Sequence, residues 1–304
     1  MSKPVSVTVF APAKVNLTLH VTGRRADGYH LLDSLVAFAD VGDSLFVQVG
    51  NTISVTTEGP EAAAVPADMS NLVLRTASLF EEMPGASFLL TKRLPVSSGI
   101  GGGSADAAAA FRGLMTFWSG GEVAADMYAP DRTPMADALL QLGADIPMCL
   151  MSQTARIGGI GERITPLPGI PLIDAVLVNP RKAVSTPAVF RAMRSRDNPP
   201  MPETLPQFAG YHDFVLWLES QRNDLQAPAM ELEPSIGDVL AALEGVASCR
   251  LARMSGSGAT CFGLFANGAQ AKEAADRLRA SHPGWWVQSA RLGTQTERAL
   301  PRVS

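Results

Sequence analysis

The chain has 304 residues, 46% hydrophobic and 18% charged, with 25 lysines and arginines against 29 aspartates and glutamates for a formal charge of −4. That composition supports a sizeable core and excludes a disordered chain, and the acidic balance excludes a non-specific nucleic-acid binder, which needs a basic footprint. Three cysteines without C-x-x-C spacing argue against a disulfide framework or a cysteine zinc site. The start lacks a signal-peptide apolar stretch, and no apolar run reaches the roughly 18 residues of a membrane span, so a cytoplasmic location is expected.

Val5, Val7 and Val9 alternate with polar residues and predict a strand that Pro12 is expected to end. Alternation resumes with Val15, Leu17, Leu19 and Val21 on one face and Lys14, Asn16, Thr18 and His20 on the other. Residues 23–30 read as a polar loop, and 44–49 and 53–57 as strands. Apolar spacing predicts a helix over 71–83 with Ser70 as its cap, then a strand over 88–94. A glycine-rich loop follows, then an alanine-rich helix from about Ser104 to Trp118. Thr133-Pro134 is expected to open a helix that Gly143 ends.

In the second half, 175–178 is a short strand and Thr186-Pro187 opens a helix through Arg194. Residues 197–207 hold four prolines and form the most linker-like stretch. Residues 211–220 and 234–243 read as helices. Strands at 250–254 and 260–265 flank Gly256-Ser257-Gly258. A helix over 269–281 and a strand over 285–290 complete the set, and the polar tail 294–304 is expected to fray. Strands and helices mix without regular alternation, which predicts an α+β fold.

The most informative segment is Pro95-Val96-Ser97-Ser98-Gly99-Ile100-Gly101-Gly102-Gly103-Ser104-Ala105. It is neither a Walker A loop, since the chain has no Gly-Lys pair, nor a dinucleotide fingerprint. Its glycines let backbone N–H groups approach a ligand closely, and the loop runs into a helix whose N-terminus favours an anion. A phosphate cradle is therefore the better reading over a plain linker or turn. Three further features stay ambiguous by themselves. Asp145 reads as a helix cap or a partly buried carboxylate, Arg253 to Thr260 as a turn or a second small-residue site, and Lys14 as a solvated lysine or a cleft residue.

Taken together these residues carry a resemblance. Pro12-Ala13-Lys14-Val15-Asn16-Leu17, Pro95 to Ser104 and Ser255-Gly256-Ser257-Gly258-Ala259 resemble, in order and separation, the three motifs of the GHMP kinase superfamily. The segments 25–30, 143–147 and 223–225 bring the match closer to a member whose acceptor is a cytidine-diphosphate-linked methylerythritol. The likeness runs from about residue 10 to residue 265.

The resemblance implies a two-domain fold with the active site in the cleft. Residues 1–153 would bind ATP and carry the catalytic pair, and residues 154–290 would bind substrate. The final strand near 285–292 is a candidate to return to the first domain. ATP, with Mg²⁺, would phosphorylate the tertiary 2-hydroxyl of the acceptor, in the non-mevalonate route to isoprenoids. Asp145 would orient or deprotonate that hydroxyl, and Lys14 would pair with Asp145 and stabilise charge on the phosphoryl group. The loop from Pro95 to Ala105 would wrap the phosphates, while Asn71, Leu72 and Lys92 are candidates for the adenine pocket. Tyr29 and His30 would hold the cytosine, with Asn16 reaching the same cleft. Thr186 and Pro187 would contact the substrate, and Gly256, Ser257 and Gly258 would back the phosphate loop or the substrate diphosphate.

Ser104 is the metal candidate. Ala105-Asp106 and Ser97-Ser98 depart from the commoner family pattern, and Asp106 is a candidate to reach the metal through water. The stretch 181–184 is more basic than the pattern suggests. The implied partner is a small molecule with a cytidine diphosphate group, with no nucleic acid, membrane or obligate protein partner. A kinase for homoserine, mevalonate or a sugar, and a non-enzymatic nucleotide binder, are the competing readings.

Overall fold

The computed structural model describes residues 6–80, 85–120, 123–129 and 132–304. Its first strand, β1 (Val7–Asn16), passes through Pro12 without ending. The proline sits at a register shift between Pro12 and Lys14, where a residue without an N–H is tolerated. β2 (His20–Arg24) folds back on β3 (His30–Val49), which shortens the expected polar loop to a turn closed by Arg25 N–H donating to Tyr29 O at 2.7 Å.

β3 is 20 residues long, although only its end carries a strand signal. Residues 33–39 are all buried, and a strand covered on both faces shows no alternation to read. β4 (Ser54–Glu58) runs parallel to β5 (Ala86–Thr91), and β5 pairs with the second half of β3. β6 (Ala155–Gly159) and β7 (Arg163–Pro166) form a hairpin on its first half. Neither has a run long enough to be seen in the sequence.

The sheet continues through β8 (Ile173–Asn179), β9 (Leu251–Met254), β10 (Cys261–Phe265) and β11 (Trp286–Gly293). β11 pairs along β8 and reaches β3 through Leu292 and Gly293, so all strands belong to one sheet. The tail does not fray. β12 (Arg302–Val303) pairs with the start of β1, and Gln295 before it is buried.

Ten helices cover the sheet among the described residues. They are α1 (Leu72–Ala77), α2 (Gly102–Trp118), α3 (Ala136–Leu142), α4 (Ile146–Met151), α5 (Thr186–Ala192), α6 (Tyr211–Glu219), α7 (Gln226–Leu232), α8 (Ser235–Glu244), α9 (Gly268–Ser281) and α10 (Thr296–Ala299). Several starts differ from expectation. Asn71, not Ser70, caps α1, accepting from Val73 N–H at 2.9 Å, and the expected extension to Met83 runs into residues outside those described. α2 begins at Gly102, so Ser104 lies in its first turn and caps nothing. Thr133 does not cap α3; its hydroxyl donates to the carbonyls of Met127 and Ala129 instead.

α2 lies on β1 and β3 through Ala105, Ala107, Ala108, Ala109 and Phe111, all fully buried. A Cβ at Gly113 would stand 2.9 Å from Val47 Cγ2, which shows how close this helix comes. A second core packs α8 and α9 against β8 and β10, and a third gathers around α6. Among the described residues no helix is long and apolar enough to cross a membrane.

Candidate active site

Three chain segments far apart in sequence meet around one cavity of about 710 Å³. Lys14 N–H donates to Ile100 O (2.9 Å), and Thr260 N–H to Ser98 O (3.1 Å). The Ser255 hydroxyl accepts from Asn16 N–H (3.0 Å) and donates to Gly99 O (3.1 Å). β1, the glycine-rich loop and the 255–259 loop are thus one hydrogen-bonded unit. Its closeness demands glycine. Gly99 takes φ +76°, and a Cβ there would lie 2.6 Å from Gly258 O and 2.7 Å from Ser255 O. Ser97 takes φ +53° without being glycine, an unfavourable conformation for a residue with a side chain.

The loop ends at Gly101, and Gly102, Gly103 and Ser104 open α2 at the cavity. Ala105 N–H is the first to be paired, with Gly101 O at 2.8 Å, so the amides before it are free for an anion on the positive end of a 17-residue helix. Ile100 and Ala105 turn inward and are fully buried, so they shape the loop from behind.

Asp145 precedes α4, but its carboxylate makes no cap. It accepts from Lys14 Nζ at 2.9 Å, with the lysine side chain 7% and the aspartate 36% exposed. The ammonium is therefore shielded while the carboxylate opens to the cavity. α4 is held in place by Arg112, a fully buried side chain that donates to Cys149 O (2.8 Å), Leu150 O (3.0 Å) and, back on β1, Phe10 O (3.1 Å). Burial pushes the Arg112 guanidinium down to about 10.

Lys92 lines the cavity too, but its ammonium is spent. It donates to Asp43 and Asp106 at 2.6 Å each, inside the protein. Asp43 also accepts from Arg93 N–H (2.6 Å) and Leu94 N–H (2.9 Å), whereas Asp106 Oδ1 is buried without a partner among the described residues. Burial pushes the Asp106 carboxyl up to about 7 against the pull of Lys92. Lys92 is thus a buried tie between β3, the end of β5 and α2 rather than a solvated charge. Asn71 likewise uses its side chain on α1 and on Pro66 O (2.8 Å), and both Asn71 and Leu72 line the cavity.

Thr186 Oγ1 and Ser257 Oγ are 2.7 Å apart, which brings α5 to the 255–259 loop. Pro187, Gly256 and Gly258 line the same wall. His30 stacks on Phe190 with ring centroids 4.6 Å apart, and Phe190 faces the cavity. Burial, aided by Arg24 and Arg196, lowers the His30 imidazole below its ordinary value, and its Nε2 has no partner among the described residues. Tyr29 is 61% exposed at the turn and does not line the cavity. Asn16 donates to Ser34 Oγ at 2.8 Å and keeps a buried Oδ1 that is unpartnered among the described residues. Phe190 escaped sequence reading, yet it lies four residues after Thr186 and so shares its helix face. Asn223 holds the third loop by donating to Met254 O (2.7 Å) and Gly256 O (2.9 Å).

Comparison with known proteins accords with this arrangement. The family described as GHMP kinases N terminal domain matches residues 71–153, and GHMP kinases C terminal matches residues 212–284. The chain is 58% identical over the full length of both proteins to a 4-diphosphocytidyl-2-C-methyl-D-erythritol kinase of Roseobacter denitrificans. It superposes on a crystal structure of 4-(cytidine 5'-diphospho)-2C-methyl-D-erythritol kinase with TM-score 0.72 and 33% identity, covering 94% of this chain and 99% of the other. A homoserine kinase from Cytophaga hutchinsonii shares the fold at TM-score 0.65 and 18% identity, over 98% and 97% of the two chains. The chain belongs to the GHMP kinase family.

Proposed function

We propose that this chain transfers the γ-phosphoryl group of ATP to the 2-hydroxyl of 4-diphosphocytidyl-2-C-methyl-D-erythritol, giving the 2-phosphate and ADP. The observation that carries the reading is the Lys14–Asp145 pair in a cavity lined by the phosphate cradle and by Phe190, on which His30 stacks from outside the lining. The named relatives support this acceptor over homoserine, mevalonate or a sugar. The same reading puts nucleotide and catalytic residues before about residue 153, with acceptor contacts from 154–290 joined by Asn16 and His30 of the first part.

The chemistry follows from position. Phosphoryl transfer needs in-line placement and compensation of charge more than covalent help. The free amides of Gly102, Gly103 and Ser104 hold phosphate oxygens. Asp145 accepts the proton of the acceptor hydroxyl as its oxygen bonds to phosphorus and the bond to ADP breaks. Lys14 keeps Asp145 aimed and offsets negative charge at the transferred group. The unpartnered Oδ1 of Asn16 can accept from an acceptor hydroxyl, and a neutral His30 can pair with the cytosine edge while the stack with Phe190 fixes its plane.

The donor set fits a Mg²⁺ that arrives with ATP. Ser104 and Asp145 offer oxygens at the cavity, and among the described residues no group of three or more His, Cys, Asp or Glu forms a protein cage. Such an ion would screen the phosphates. The test is ADP release with this acceptor against homoserine, mevalonate and sugars, with and without Mg²⁺. Turnover confined to the cytidylylated acceptor is expected, and turnover of another acceptor alone overturns the reading.

A further inference from the structure

One ion pair outside the cavity joins its two walls. Arg181 belongs to the basic stretch that the family resemblance leaves without a role. Its guanidinium meets the Glu61 carboxylate through one hydrogen bond, Nη1 donating to Oε2 at 2.8 Å, and one charge contact, Nη2 to Oε1 at 2.7 Å without hydrogen-bond alignment. Glu61 is only 8% exposed, so a nearly desolvated carboxylate depends on this guanidinium for compensation.

Each partner stands at the root of one wall. Glu61 N–H donates to Lys92 O (3.2 Å) and Lys92 N–H to Glu58 O (2.7 Å), which fastens this turn to the strand that leads into the phosphate loop. Beyond it the chain supplies Val65, Pro66, Ser70, Asn71 and Leu72 to the cavity. On the other side Arg181 N–H donates to Asn179 Oδ1 (2.7 Å), and Asn179 Nδ2 to Thr260 Oγ1 (2.9 Å). Arg181 takes φ +57°, a conformation that is unfavourable for a side-chain-bearing residue and is held by these partners. Three residues later Val184 begins the opposite wall, which continues to Pro187. Neither Arg181 nor Glu61 lines the cavity.

We infer that Arg181 is a positioning residue for the nucleotide, its ion pair with Glu61 setting the spacing between the 61–72 wall and the 181–187 wall. The inference rests on the proposed reading only in taking the 61–72 wall as the nucleotide side. It holds whichever acceptor is used.

The test measures binding of a non-hydrolysable ATP analogue with Mg²⁺ to the full chain by calorimetry, without acceptor, beside KM and kcat for turnover. Arg181→Gln and Glu61→Gln are each expected to weaken analogue binding about tenfold and raise KM for ATP alike, with kcat within about twofold. The double variant is expected to be no worse than either single, because both remove one interaction. Exchanging the charges, Arg181→Glu with Glu61→Arg, is expected to recover most of the affinity. A merely structural role would lower the competent fraction and kcat and leave the affinity of the remainder unchanged. Analogue affinity within about twofold of the parent in both singles, or effects that add in the double, overturns the inference. So does a parent chain that does not bind the analogue. A parent that binds the analogue but fails to phosphorylate the cytidylylated acceptor refutes the proposed function alone.

Discussion

Two lysines stand on the walls of the same cavity, and their partners make them opposites. Lys14 holds one carboxylate, that of Asp145, which is 36% exposed and free to exchange its partner for a substrate. Lys92 holds two, Asp43 and Asp106, at 0% and 5% exposure, neither of which can turn to a ligand without leaving a buried charge behind. On the proposed reading the same residue type thus serves chemistry where its counter-ion meets solvent and serves architecture where it does not. Exposure of the partner separates the two roles, and nothing in either lysine's local sequence reports it.

The comparison breaks first at Asp145. Asp145→Asn is expected to lower kcat by about 10²–10⁴-fold while nucleotide and acceptor still bind, as read by single-turnover kinetics and calorimetry. Near-normal turnover would remove Asp145 from the chemistry. Lys92→Met sharpens the other side. It strands two buried carboxylates and is expected to cost about 3–5 kcal/mol of stability in denaturant unfolding. Lys14→Met is expected to cost turnover far more than stability. Equal losses of stability from both substitutions would erase the distinction.

Gly99→Ala probes the loop that both lysines flank. With φ +76° and its Cβ 2.6 Å from Gly258 O, this change is expected to part the two loops, at about 1–3 kcal/mol, and to weaken ATP binding. The smallest effect is expected at His20, away from the cavity. Burial, then Arg222, lowers its imidazole below 6.5, with Asp224, Asp33 and Pro199 O opposing. The unfolded chain therefore takes up a proton near pH 6.5 that the folded chain refuses until lower pH, so stability falls as pH drops below about 6.5. A His20→Gln variant is expected to show a flatter unfolding profile between pH 7 and 5.

How much of this was legible varies with how local the signal is. The three motif loops stand out because glycine and small residues are needed wherever backbone must approach backbone, as at Gly99 and Gly258. The helix of α2 and the strand ends around Gly256 were readable from the same punctuation. The first half of β3 was not, because Leu35 to Ala39 are covered on both faces. Ser70 and Thr133 looked like caps because capping depends on where the helix actually begins, which packing decides. Arg181 looked anomalous because its partner, Glu61, is 120 residues away.

By itself the sequence determined the chemistry on offer: a glycine-rich cradle, a lysine and an aspartate in separate motifs, an aromatic-histidine pair, and membership of a kinase family through the order of those motifs. Tertiary structure alone decided which charges meet. Electrostatic roles depend on distance and on exclusion of water, and both are properties of the packed sheet and helices rather than of any segment. That is why Lys14 and Lys92, alike in the chain, differ in the fold.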